Sequence, residues 1–194
     1  RSWEKCQCGF YQSRRNYPIE DLQKIYIDGY RDEGFRNKSI DEAFQQIIGI
    51  PPEQSENERR VGNFMEVVDS SNSILDVGSG LGVFPYRLRD HNYTVWCVEP
   101  NRESQKFIKG LGMKCLPNIP DYVKFDVTTL IHVLEHIVVP IPFLERIRDV
   151  TNNLIYIEVP DASEFNSLSI DNNEFSSDHV YFYDLHSLSE ITKR

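Results

Sequence analysis

Residues 74–84 read ILDVGSGLGVF: an apolar run, Ile74 to Val77, meets Gly78, Gly80 and Gly82, and a helix-compatible stretch starts at Val83. A strand that turns sharply through bare backbone into a helix is the ligand turn of doubly wound folds, because glycine tolerates the bend and lets a ligand approach the main chain. In such folds the ligand lies at the carboxyl ends of the strands.

Outward from this turn the sequence alternates. TVWCV, MKCL, FDVTTLIHV and NLIYIEV are strand-like runs, and helical stretches follow from about Val83 to Asp90, from about Arg102 to Lys109, and through PFLERIRDV. Strands alternating with amphipathic helices imply right-handed crossovers and a parallel sheet covered on both faces. The fold class is α/β, a doubly wound parallel sheet. Counting these strands from ILDV, the expected order is 3-2-1-4-5, with ILDV central because its run is apolar on both faces.

The first 72 residues are charged and helical in pattern, and form an expected N-terminal helical extension to a binding domain at 73–194. Ser39 with Glu42 and Ser55 with Glu58 have the spacing of capping boxes. Val61, Phe64, Met65 and Val68 share one helix face, which is expected to pack on the sheet. The polar stretch 161–180 reads as a long functional loop.

Composition narrows the partners. The 194 residues carry a formal charge of −9 with scattered basic residues, so no electrostatic footprint for nucleic acid exists. No apolar stretch approaches the ~20 residues of a membrane span and no signal peptide is apparent, so a soluble cytoplasmic protein is expected. Cys97 and Cys115 lie in apolar runs and read as reduced core thiols.

The acids near the turn choose among ligands. Glu99 ends the second strand, 99 − 76 = 23 residues after Asp76, where an acid about 20 residues on takes ribose hydroxyls. A dinucleotide fits poorly: the third fingerprint glycine is displaced, Val83 standing in its place, and Asp76 would face a pyrophosphate with like charge. No Tyr-x-x-x-Lys pair supports a nicotinamide enzyme. An adenosine at one end, an ammonium at the other and a sulfonium between satisfy both acids, which describes S-adenosylmethionine.

ILDVGSGLG, Glu99, TTLIHVLEHIVVPIPFLERI and IYIEVPD together resemble the class I S-adenosylmethionine-dependent methyltransferases. The phrases HVLEHI and DHVYFYDLHSL are similar to the sugar C-methyltransferase branch. The resemblance spans about residues 73–194 and implies a small-molecule acceptor, a sugar or nucleotide sugar, methylated at carbon or oxygen. It implies cofactor contacts from Asp76, Gly78, Ser79, Gly80, Gly82, Glu99 and Pro100, with Leu134 lining the pocket and His132 lining it or filling the core. Where the family has an acid near the adenine, LPNIPD offers Asn118 and Asp121. By the same resemblance His136 and His179 are catalytic, with Asp178 orienting His179; an imidazole titrates near neutrality and suits a general base. Other readings are a methyltransferase for another small molecule, or a cofactor-binding remnant without activity.

The family's two further strands, six and seven, have no counterpart before Arg194, and the chain begins without Met, so a fragment is expected. Cys6 and Cys8 look like half of a zinc ribbon. Two ligands fall short of the four that structural zinc takes, so no metal is expected there.

Overall fold

The computed structural model describes residues 3–7, 10–13, 38–164 and 179–193. Its centre is a five-stranded parallel sheet. With two short strands, β1 (Trp3–Lys5) and β2 (Tyr11–Ser13), coming earlier in the chain, the sheet is built from β3 (Ser73–Val77), β4 (Thr94–Val98), β5 (Lys114–Leu116), β6 (Phe125–Ile131) and β7 (Thr151–Glu158). Their order is β5-β4-β3-β6-β7, which is the expected 3-2-1-4-5 with ILDV in the middle. All four pairings are parallel.

The helices follow the pattern in the sequence. Helices α1 (Ile40–Ile48) and α2 (Glu56–Met65) precede the sheet; α3 (Val83–Asp90), α4 (Arg102–Gly110) and α5 (Pro140–Val150) are its crossovers. Ser39 and Glu42 close a complete capping box on α1. At α2 only half the box forms. Ser55 accepts from the Glu58 N–H, but the Glu58 carboxylate pairs with Arg87 on α3 at 2.8 Å, since a long-range guanidinium outcompetes the local amide.

Val61, Phe64 and Val68 are buried while Met65 is 41% exposed, so the α2 face is narrower than its periodicity suggests. Phe64 meets Phe84, Tyr93 and Tyr156 edge-on, with centroids 5.5, 5.8 and 5.3 Å away. Such contacts add about 0.5–1.5 kcal/mol each beyond the buried area. They lock α2 against the sheet, which matters below because α2 carries Arg60. The other face of the sheet packs Leu75, Val77 and Leu130 against Leu144, Ile147 and Val150 of α5. Cys97 and Cys115 are adjacent in register, buried and free. Burial pushes both thiols up, Cys115 to about 11, which leaves them unreactive near neutrality.

The N-terminal part differs from a wholly helical extension. β1 and β2 form a hairpin, and β2 pairs antiparallel with β8 (Tyr181–Phe182), giving a second, three-stranded sheet. Trp3 packs edge-on against Phe182 at 4.7 Å and Phe10 against Tyr181 at 5.3 Å; aromatic side chains that would be stranded on a helix find partners on a sheet. Cys6 is disulfide-bonded, so its thiol is not available as a zinc ligand. After β8 comes α6 (Leu185–Thr192), capped by Asp184. Among the described residues β7 is an edge strand, with Leu154 36% exposed, and no helix is long and apolar enough to cross a membrane.

Candidate active site

The turn between β3 and α3 has left-handed backbone at each of its glycines, and two of them divide the labour. A Cβ on Gly78, at φ 78°, would lie 2.5 Å from the Val133 side chain, so that glycine is a packing requirement. Gly80, at φ 55°, would meet nothing within 4 Å: its backbone is bare over open space. That is the surface a ligand needs in order to reach main-chain amides.

The turn is tied to the ends of the neighbouring strands. The Gly78 and Ser79 N–H groups donate to the Val98 carbonyl at 2.8 and 3.1 Å, and the Ser79 hydroxyl donates to the Asp76 carbonyl oxygen. Glu99 is buried just past β4 and accepts from the Gly80 N–H through Oε2 and the Asn101 N–H through Oε1, both at 2.8 Å. Burial pushes its pKa up to about 7, against the two amide bonds that lower it. A carboxylate has about four lone-pair sites, so Glu99 retains acceptor capacity for ribose hydroxyls. Pro100 follows it, with its carbonyl accepting from Gln105.

Asp76 is 3% exposed, and Thr129, its register neighbour on β6, donates to it at 2.6 Å. Burial raises its pKa, against the hydrogen bonds from Thr129 and Ser79 and the charge of Arg60. Asp76 is therefore a buried carboxyl under the site rather than a surface ligand, and Thr129 is a partner that sequence reasoning missed.

Asn118 is exposed, two residues past β5. Asp121 is taken by Arg146 at 2.6 Å. Leu134 has no exposed surface and packs in the core with Leu75 and Leu130, so it does not line a pocket as expected: the short 3-10 turn Leu134–His136 needs an apolar anchor.

His132 does not fill the core either. It sits at φ 52°, unusual for a non-glycine residue, and its N–H donates to the Glu158 carbonyl. Its ring lies 3.4 Å from Glu135 and 3.5 Å from Glu158. Hydrogen bonding to Glu135 and then Glu158 lifts its pKa to about 9. Arg60 reaches Glu158 at 2.5 Å from 98 residues away. Burial would raise the Glu158 pKa, but His132 and Arg60 hold it at about 2. No local sequence signal announces this network.

The two histidines of the expected catalytic set do meet. Their ring centroids are 4.6 Å apart, and backbone contacts fix them: Val180 N–H donates to the Glu135 carbonyl at 2.8 Å, and the Tyr181 hydroxyl donates to the Val138 carbonyl. Donor atoms of Glu135, His136 and His179 all lie within 4.8 Å of one another. Asp178 lies outside the described residues.

The fold is shared with solved methyltransferases. The plantazolicin methyltransferase BpumL, crystallised with S-adenosylhomocysteine, superposes with a TM-score of 0.61 at 16% identity over 89% of this chain and 72% of that one. A S-adenosylmethionine-dependent methyltransferase from Archaeoglobus fulgidus gives 0.60 at 17% identity over 80% and 73%. One from Thermotoga maritima gives 0.59 at 13% over 78% and 73%. Identities this low show a common fold. No curated protein matches the sequence. The sequence model of the methyltransferase-domain family matches residues 50–194, well over half of the chain, and the chain belongs to that family.

Proposed function

We propose that this protein transfers a methyl group from S-adenosylmethionine to a sugar or nucleotide-linked sugar, at oxygen or carbon. The observation that carries the cofactor assignment is the pairing of Gly80, left-handed and open on its ligand side, with Glu99, whose carboxylate is fixed 2.8 Å from the Gly80 amide nitrogen. Together they offer bare backbone and a hydroxyl acceptor side by side at the ends of β3 and β4. The acceptor oxygens of Asp76 beneath the turn favour a cationic ligand over a pyrophosphate. The residues present therefore fit S-adenosylmethionine, which supplies the methyl group on a sulfonium.

What the chain must add is position and an outlet for one proton. The cluster of His136 and His179 is where the acceptor's nucleophilic atom is held and deprotonated. Support for a sugar acceptor comes from the sequence phrases HVLEHI and DHVYFYDLHSL, whose His136 and His179 rings lie 4.6 Å apart.

Thermal melting with S-adenosylmethionine, S-adenosylhomocysteine and NAD in parallel tests the cofactor, since a ligand bound only by the native state raises the midpoint. A rise with the first two and none with NAD is expected; the reverse would overturn the assignment. Radiolabelled methyl transfer to a panel of nucleotide sugars, phenols and amines tests the acceptor. Label confined to phenols or amines would replace the sugar reading.

A further inference from the structure

We propose that Glu135, His136 and His179 bind one divalent transition-metal ion, which takes the acceptor's hydroxyl oxygen as a further ligand. The inference deepens the reading above and rests on it for the identity of the reaction, though not for the ion itself.

The first argument is geometric. Two imidazoles and a carboxylate converge with their donor atoms within 4.8 Å of one another. Ligand atoms at about 2.0–2.2 Å from a shared ion lie roughly 3–3.5 Å apart, so rotation of side chains closes the set without moving the backbone. The backbone is already joined. Val180 N–H donates to the Glu135 carbonyl at 2.8 Å and His136 N–H to the Val133 carbonyl at 3.0 Å, so the two segments that supply the ligands are held in register.

The second argument is electrostatic. Glu135 has no exposed surface, and among the described residues its carboxylate has one long ion-pair contact, to His132, and no close hydrogen bond. A buried carboxylate is stable only when paired or when it coordinates a metal. His132 Nδ1 faces Oε1 at 3.4 Å, which answers one oxygen only, and Oε2 has no hydrogen-bond partner among the described residues. The Tyr183 hydroxyl is also buried without a partner. A cation among Glu135, His136 and His179 removes the deficit at the carboxylate.

Donor chemistry selects the ion. Two imidazole nitrogens with one carboxylate suit the manganese-to-zinc series, whereas calcium and magnesium prefer all-oxygen shells. Three protein ligands leave positions open, the arrangement of catalytic rather than structural sites. A hydroxyl on an open position has its pKa lowered and releases its proton to solvent. Its oxygen then forms the new O–C bond, and the C–S bond breaks with its electron pair remaining on sulfur as a neutral thioether. The site thus directs transfer to oxygen.

The test uses the whole chain, stripped with a chelator and titrated with Co²⁺ and Mn²⁺ by visible absorption, electron paramagnetic resonance and calorimetry. One ion per chain is expected. Glu135→Gln and His179→Asn should each weaken Co²⁺ binding at least tenfold, while His91→Gln, exposed at the end of α3, should not change it. Should Glu135→Gln fail to fold by circular dichroism, His136→Asn, only partly buried, takes its place. S-adenosylhomocysteine should bind the stripped chain as well as the loaded one, and methylation of hydroxyl acceptors should return on adding Mn²⁺ or Co²⁺. Absence of a bound ion in the unmodified chain, or equal Co²⁺ affinity in the ligand variants, would overturn the site. Retained Co²⁺ binding without S-adenosylhomocysteine binding would leave the ion site standing and remove the methyltransferase reading.

Discussion

The Glu99 carboxylate grips the glycine turn directly: its Oε2 accepts from the Gly80 N–H at 2.8 Å. One side chain thereby connects the end of β4 to the loop after β3, and its ionisation state sets both the shape of the turn and its capacity to take hydroxyls.

Burial raises the Glu99 pKa from 4.5 to about 7. A raised pKa means that the folded state holds a proton which the unfolded state has lost. Stability from this group is full below about pH 4.5 and is lost as pH climbs to about 7, by on the order of 3 kcal/mol. Glu99→Gln should flatten that part of the stability–pH curve, measured by urea unfolding. The affinity for S-adenosylhomocysteine should rise across the same window in the unmodified protein, as the ionised carboxylate becomes the better acceptor, and be low and flat in Glu99→Gln by calorimetry.

Alanine at two glycines should separate packing from binding. Gly78→Ala places a methyl 2.5 Å from Val133 at φ 78°, and should lower the melting temperature markedly. Gly80→Ala carries only the left-handed penalty, about 1–2 kcal/mol, but fills the space beside the turn. It should fold and bind S-adenosylhomocysteine at least tenfold more weakly.

Arg60 is 98 residues from Glu158 and donates to it through Nε and Nη2. Because the Glu158 pKa is depressed to about 2, its contribution is present above about pH 4.5 and is lost as pH falls toward 2. Arg60→Met should weaken folding by about 1–3 kcal/mol at neutral pH. It should also move the acid-unfolding midpoint to higher pH, read by circular dichroism.

Trp3 packs edge-on against Phe182 at 4.7 Å, and Phe182 in turn meets the His179 ring at 5.2 Å. Trp3→Ala should speed hydrogen exchange at the Val180–Phe182 amides and reduce methyl transfer severalfold. Its affinity for S-adenosylhomocysteine should stay within about twofold, since β3 and β4 are untouched.

The parallel sheet was legible because each strand and helix carries its own periodicity, and the glycine turn because its conformation demands particular residues. Ser39 announced its cap for the same local reason. What escaped was non-local. Arg60 and Glu158 meet across the fold, Glu58 left its box for Arg87, and Thr129 reached Asp76 through strand register. The β1–β2 hairpin has three residues per strand, too few for a pattern, and its third strand comes from the far end of the chain. Leu134 looked like pocket lining because the motif, rather than the core, was being read.

That third strand bears on how the protein is made. Three of the four neighbouring pairs in the large sheet are joined by a local crossover, and the fourth, β3 with β6, closes over about 50 residues, so the glycine turn has its sheet partners once β6 has docked. The pairing of Tyr11 with Phe182 instead spans nearly the whole sequence, and contacts so far apart are slow to close. His179 stands two residues before the strand that makes this pairing, so the ring that meets His136 is placed by the same late-arriving segment. On the proposed reading, the nascent chain is able to hold its methyl donor well before it has anywhere to deliver the methyl group.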